Sequence, residues 1–308
     1  MRVFLTGATG YVGSAVLDAL IRGGHEITAL VRNPENAEEL ARRGVQPVLG
    51  TLAKPSSFAE AAEACDGTIH TAFDQSKQGE AIDRLAIETL TAAVRRKAAG
   101  APARQPFFVY TSGVWVLGKA TRPATEDAAL NPTPLVAWRP PHETMALDAG
   151  KDGAIRTAVV RPGIVYGGAR GIIGDLVRDA TNGLLRVIGS GKQHWPCVYD
   201  RDLADVYARL VARDDASGIF HVNDEADERV IDIVEALAAH VKMRPDIRHV
   251  PLPEARAKLG VYADALALDQ KVRSPRARAL GWTPSLHSVA GSVARLLEEY
   301  RNGRRQAA

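Results

Sequence analysis

The chain has 308 residues, 46% of them hydrophobic and 24% charged, and its 39 basic and 36 acidic residues leave a net charge of +3. Charge so balanced, with no basic stripe interleaved with aromatics, argues against a nucleic-acid surface, and no apolar run is long enough to span a bilayer. The expectation is a soluble, cytoplasmic protein with one full domain and a smaller second lobe.

Short apolar runs and helical patterns alternate over the first part of the chain. Arg2–Thr6 is a buried-strand run, and Gly13–Ile21 follows with helical spacing through Val16, Leu17, Leu20 and Ile21 until Gly23-Gly24 stops it. Ile27–Val31 predicts a second strand and Glu35–Arg43 a polar helix. Strands continue at Val45–Leu49, Gly67–Phe73, Phe107–Thr111 and Thr157–Val160, with helices at Ser57–Ala64, Glu80–Ala99 and Glu143–Ala149 between them. This alternation predicts an α/β fold, a Rossmann-type doubly wound parallel sheet.

After Val165 the texture changes to glycine-rich loops around short helices. Asp202–Arg213 and Ile219–Val222 form one more helix–strand pair that returns to the sheet, and Val230–Val241 and Leu286–Tyr300 are amphipathic helices. The predicted division is a dinucleotide-binding domain over 1–165 plus 196–222, and a substrate-binding lobe over 166–195 and 223–308. The closing RNGRRQAA reads as a solvated, frayed basic terminus. Cys65 and Cys197 have no paired metal spacing, so they read as free thiols in a reducing compartment and no metal is expected.

Thr6–Gly13 reads TGATGYVG, a Gly-x-x-Gly-x-x-Gly pattern between the first strand and the first helix. Gly7 permits a tight turn, Gly10 lets backbone approach a pyrophosphate, and Gly13 lets helix and strand pack closely. The helix N-terminus then offers its amides to the phosphates. At the end of the second strand an NAD site carries a carboxylate for the ribose 2′-hydroxyl, but this chain has Arg32. A guanidinium pairs with a 2′-phosphate that a carboxylate would repel, so Arg32 points to NADP(H).

Five motifs in order, TGATGYVG, YTSG at Tyr110–Gly113, RPGIVYG at Arg161–Gly167, VYDRDLADV at Val198–Val206 and ALGWTP at Ala279–Pro284, carry a family resemblance. The chain resembles the extended short-chain dehydrogenase/reductase superfamily, of the NAD(P)-dependent epimerase/dehydratase type, along nearly its full length. The resemblance implies that Gly7, Thr9, Gly10, Tyr11, Val12 and Gly13 line the pyrophosphate and Arg32 the adenosine phosphate. It implies too that Thr71, Ala72 and Phe73, ending the fourth strand, pass beneath the cofactor ribose, and that Pro162 and Gly163 border the nicotinamide. Ser112 matches the serine that hydrogen-bonds the reacting oxygen. A small-molecule substrate and a homodimer are likewise what the resemblance implies.

Three departures modify this picture. The third strand is followed by GTL, with Thr51 in place of the family's aspartate, and GSGKQHWPCV offers His194 and Trp195 where nucleotide-sugar enzymes carry an arginine. An apolar or aromatic substrate pocket is therefore expected. The third departure is the family's Tyr-x-x-x-Lys pair, which occurs nowhere between Ser112 and Arg161. The stretch LVAWRPPHETMAL offers Arg139 instead, ahead of a proline-started helix. Arginine can replace the lysine's charge, but with a pKa above ~12 it is a poor proton donor. Tyr166, Tyr199, His142, His194 and a water at Ser112 stand as substitute acids. The leading reading is an NADPH-dependent reductase of a small, mostly apolar carbonyl, imine or activated alkene, with Ser112 and Arg139 as its catalytic residues. The others are a non-catalytic NADP(H)-binding regulator and an epimerase or dehydratase.

Overall fold

A computed structural model describes residues 1–242 and 244–306. Its centre is a seven-stranded sheet built from β1 (Arg2–Thr6), β2 (Glu26–Val31), β3 (Gln46–Leu49), β4 (Gly67–His70), β5 (Phe107–Thr111), β6 (Arg156–Pro162) and β7 (Gly218–Val222), in spatial order β7-β6-β5-β4-β1-β2-β3. The β1–β2, β1–β4, β2–β3, β4–β5 and β5–β6 pairs are all parallel. The order reverses beside β1, which creates the crevice where ligands of doubly wound sheets bind. Every residue of β4 and β6 is buried, as expected of strands covered on both faces, whereas edge strand β3 has none buried.

Four helices carry residues of the sites in the first part of the chain: α1 (Tyr11–Arg22), α2 (Pro34–Arg42), α3 (Gly79–Ala99) and α4 (Arg139–Asp148). Asn33 caps α2 by accepting from the Asn36 amide at 2.9 Å, and Pro34 occupies the first turn, where a missing N–H does no harm. The chain divides into two compact units. The first comprises Met1–Ser112, Trp138–Arg161 and Ala204–Phe220, and the second Gly113–Ala137, Pro162–Leu203 and His221–Ala308. Within the second unit a core of Ile164, Tyr166, Leu185, Trp195, Ile233, Leu237 and Leu296 gathers its helices.

Four expectations from the pattern need correction. The fourth strand ends at His70, so Thr71–Phe73 follow it as irregular chain. The Thr71 hydroxyl donates to the Thr6 carbonyl at 2.7 Å and shares that acceptor with its own amide at 3.3 Å. The Ser57–Ala64 helix splits into a 3-10 turn at Pro55–Ser57 and a short helix at Ala59–Glu63. The helix placed at Glu143–Ala149 starts at Arg139, its opening turn holding both prolines. The last helix begins at Val293 instead of Leu286, because distant carboxylates take the amides ahead of it. Asp202 accepts from Ser285 and Leu286, and Glu228 from Val289 and Ala290. This helix continues to Gln306, so 301–306 are helical where a frayed terminus was expected, and Ala307 and Ala308 lie outside the described residues.

Cys65 and Cys197 are both free and buried. Among the described residues, no helix is long and apolar enough to cross a membrane.

Candidate active site

One cleft of about 410 Å³ opens at the carboxyl ends of β1, β2 and β4, within the range typical of small-molecule sites. The structure brings Gly7, Thr9, Gly10, Tyr11, Val12, Gly13, Arg32, Thr71, Ala72 and Phe73 together around it. Gly7 has φ +80°, and a Cβ there would stand 2.7 Å from Thr71 Oγ1 and 2.8 Å from the Ala72 nitrogen. A Cβ on Gly13 would lie 2.0 Å from the Gly7 carbonyl oxygen. Only glycine lets the turn fold this tightly. Gly10 is the N-cap of α1, and no side chain caps that helix, whose N-terminus faces the cleft as a site suited to an anion.

Arg32 stands at the rim of the cleft, exposed, with no hydrogen bond or ion pair among the described residues. Its neighbour Asn33 turns its side chain into the cap of α2. Thr51 and Leu52 after β3, Asn36 of α2, and Asp74 and Gln75 beyond Phe73 complete the lining. Of these, only Thr51 stood out in the sequence, as a departure; the others lie next to recognised motifs and carry no motif of their own.

Ser112 ends β5's run, its amide donating to the Val160 carbonyl at 2.8 Å. The residue is 7% exposed, and its hydroxyl has no hydrogen-bond partner among the described residues. Buried hydroxyls are normally satisfied, so an orphan here is a group held open for something else. Arg139 lies close by in the fold: its Nη1 donates to the carbonyl of Thr111, the residue before Ser112, at 3.1 Å. The guanidinium stacks over Trp138, 4.4 Å from the ring centre, and lies 5.8 Å from the Phe73 ring. Phe73 and Trp138 stack on each other at 4.9 Å, so this cationic group adjoins a residue of the cleft. Ser112, Arg139, Pro162 and Gly163 do not line the cleft itself. Pro162 and Gly163 belong to the second unit, where the Gly163 amide donates to the Val222 carbonyl at 2.9 Å.

Beneath Arg139 runs a buried polar chain that the sequence did not disclose. Asp83 of α3 accepts from Tyr110 Oη at 2.8 Å, from His142 Nδ1 at 2.8 Å and from His70 Nε2 at 3.2 Å. That tautomer leaves His70 Nδ1 to accept from Thr6 Oγ1 at 2.6 Å, and Thr6 Oγ1 accepts in turn from the Ala72 amide at 3.3 Å. Burial pushes the Asp83 carboxyl up, but the hydrogen bonds from His142, His70 and Tyr110 outweigh it and hold it well below the usual range. Burial and the Asp83 charge push the Tyr110 phenol upward. Beside this chain, Arg161 of β6 binds Glu143 of α4 through Nε at 3.1 Å and Nη2 at 2.5 Å, both side chains nearly sealed from solvent.

The substitute acids fare poorly as proton donors. His142 is committed to Asp83, and His194 to Asp269, with Nδ1 to Oδ1 at 2.7 Å. Tyr166 donates to Asp224 at 3.4 Å, and burial followed by that aspartate's charge pushes its phenol upward. Tyr199 donates to Glu299 at 2.6 Å, and burial and that bond push its phenol upward too. A phenol that no motif marks in the sequence, Tyr207, shares a 2.7 Å hydrogen bond with Thr111 Oγ1, and burial likewise pushes it upward.

The family model described as NAD dependent epimerase/dehydratase family matches residues 3–223. The chain belongs to this family. A curated relative, the uncharacterized protein C2A9.02 of Schizosaccharomyces pombe, is 31% identical over 94% of the chain and 96% of its own length. Another, a 4-hydroxy-2-methyl-3-oxo-4-farnesyl-3,4-dihydroquinoline-1-oxide ketoreductase of Stigmatella aurantiaca, is 25% identical over 83% of the chain and 78% of its own length. Among solved structures, the human epimerase family protein SDR39U1 with NADPH shares the fold, with a TM-score of 0.69 at 23% identity over 97% of this chain and 99% of that one. Membership puts the chain in the NAD(P)-dependent class of oxidoreductases and epimerases, on a Rossmann-like parallel sheet. The glycine turn and the N-terminus of α1, which no side chain caps, fit a dinucleotide of that class.

Proposed function

We propose that the chain is an NADPH-dependent reductase of a small, mostly apolar carbonyl, imine or activated-alkene substrate. In this reading the first unit holds the dinucleotide and the second supplies the substrate's pocket. The observation that carries the reading is the buried Ser112 hydroxyl, left without a partner beside the carbonyl that fixes Arg139. The nicotinamide, when bound, supplies the hydride.

The chain's own residues do the rest. The turn at Gly7–Gly13 and the N-terminus of α1 receive the pyrophosphate, Arg32 pairs with the 2′-phosphate, and Phe73 and its neighbours floor the cleft. Ser112 donates its free hydroxyl proton in a hydrogen bond to the substrate oxygen or nitrogen, which polarises the acceptor. Arg139, held flat on Trp138, provides a fixed positive charge toward the developing anion. Proton delivery falls to a water at Ser112, because His142, Tyr166 and Tyr199 are tied to carboxylates, and the phenols are pushed away from neutral pH. Support for a reductase also comes from the ketoreductase relative.

A second reading, a non-catalytic NADP(H)-binding regulator, is favoured by the absence of Tyr-x-x-x-Lys and the engagement of its nearest substitutes. One experiment separates the two: NADPH oxidation and product formation with a panel of aldehydes, ketones, imines and enones. Turnover on one class supports the reductase; tight NADPH binding without turnover on any class supports the regulator. Arg32→Asp is expected to weaken NADPH about 10- to 100-fold while sparing NADH, the loss of one charge-assisted contact. Equal loss for both cofactors would remove the NADP(H) assignment.

A further inference from the structure

The second unit contains a cavity of about 300 Å³ that neither the cofactor nor the reacting groups require. Its walls are Ile172 and Leu176 from the helix Gly171–Thr181, Ile188 at the end of the strand Leu184–Ile188, Trp195, Leu259 and Leu266. Leu259 is 47% exposed, an apolar lining residue that solvent reaches. The polar atoms in the lining are largely used up inside the protein. Trp195 Nε1 donates to the Leu266 carbonyl at 3.1 Å, and Gln193 Nε2 to that of Ile188 at 3.2 Å.

The charges around the cavity cancel. Asp175 and Asp179 are matched by Arg178, which lies 2.7 Å and 3.2 Å from them, and by Arg186, 4.0 Å from Asp179. A site built this way offers no unmatched charge to an ionic ligand. What remains is one donor: the Tyr262 hydroxyl has no hydrogen bond among the described residues, while its ring sits edge-on to Trp115 at 6.1 Å. Burial pushes that phenol upward, so it stays neutral and able to donate.

We propose that this cavity binds the hydrocarbon tail of an uncharged amphiphile, an alkyl or prenyl chain of about ten carbons by volume, with Tyr262 hydrogen-bonding a neutral oxygen along it. The inference goes beyond the reductase reading and stands without it, since binding of the tail requires no reaction.

The test uses the full chain with N-phenyl-1-naphthylamine as a fluorescent probe, displaced by n-alkan-2-ones of increasing length. Affinity is expected to tighten about threefold to fourfold per methylene until the cavity is full, then to level off. The n-alkanoates of matching length are expected to displace the probe less well. Leu176→Trp, which fills the cavity, should abolish probe binding. Leu259→Ser, at an exposed position that does not endanger folding, should weaken it several-fold. A flat chain-length series overturns the proposal, as does wild-type probe affinity in both variants when circular dichroism and NADPH affinity show them folded. Graded binding of ketones without turnover would sink the reductase and leave the cavity's role standing. Turnover of short ketones with a flat series would do the reverse.

Discussion

The phosphate turn and the base of α4 are neighbours in the first unit, built on opposite principles. Along Gly7–Gly13 side chains are removed and amides are left without a side-chain cap. Under α4 nearly every polar atom is consumed internally, through Asp83 with its three donors and through the Arg161–Glu143 pair. Ser112 belongs with the first group although it is as buried as the second. Burial alone therefore does not separate the two groups; the missing partner is what sets Ser112 apart from Asp83, Glu143 and Arg161.

The sharpest way to break this comparison is Glu143→Ala. It takes from the buried Arg161 guanidinium the carboxylate paired with it, and removing one partner of such a pair costs about 3–5 kcal/mol. The loss should appear in urea unfolding, with the NADPH affinity of the remaining folded protein little changed. An unfolding midpoint within error of wild type would show that the pair is better hydrated than its burial indicates.

Asp224 of the second unit offers a contrast with Asp83. It accepts from the Ala226 amide at 3.1 Å and from Tyr166 at 3.4 Å, too little to offset its burial, and repulsion from Glu228 adds to the rise. Its carboxyl is pushed up from 3.8 to about 7. The folded group thus keeps its proton where the unfolded one has lost it. The resulting stabilisation is complete below pH 3.8 and disappears as pH rises through 7. Asp224→Asn, which mimics the protonated form, is expected to lack this slope. Relative to the variant, wild type should lose up to about 4 kcal/mol between those pH values, at ~1.36 kcal/mol per unit. Parallel stability curves for the two proteins would refute the raised value.

Ser112→Ala tests the open side of the comparison. Removing one preorganised donor to the reacting oxygen typically costs about 100- to 1000-fold in kcat. Stability should be unchanged or slightly higher, because the deleted hydroxyl has no partner to lose. A destabilised variant with intact turnover would move Ser112 into the structural group.

How much of the molecule was legible in the sequence follows the same division. The phosphate turn could be read because its demands are local: Gly7, Gly10 and Gly13 answer constraints within a few residues, and Arg32 sits at a fixed place after the second strand. The sheet strands could be read because β1, β5 and β6 carry buried apolar runs, Val3–Leu5, Phe107–Val109 and Ala158–Val160. The chain through Asp83 could not, because His70, Tyr110 and His142 reach it from three other elements and nothing local marks any of them. The late start of the last helix was hidden for the same reason: its competitors for amides, Asp202 and Glu228, lie far away in sequence. His142 and Tyr166 looked like candidate acids because a sequence shows a titratable group but not the carboxylate that already holds it.

Thr71 joins the two regions and gives the mildest test. Its hydroxyl donates to the Thr6 carbonyl, and Thr6 Oγ1 in turn carries the link from the Ala72 amide to His70 and Asp83. Thr71 Oγ1 is also the atom that a Cβ on Gly7 or Gly13 would meet at 2.7 Å, so it helps set the shape of the turn. Thr71→Val keeps the shape of the side chain and removes one hydrogen bond, an expected loss of about 0.5–1.5 kcal/mol. If the buried chain only props up the fold, NADPH affinity should stay at its wild-type value while stability falls. If it also sets the turn, affinity should drop with stability, because the backbone of Gly7 and Ala72 is then free to shift by the few tenths of an ångström that the glycines were selected to exclude. The second outcome is expected, since Thr6 and Thr71 join the hydrogen-bonded chain through His70 and Asp83 to the backbone beside Gly7.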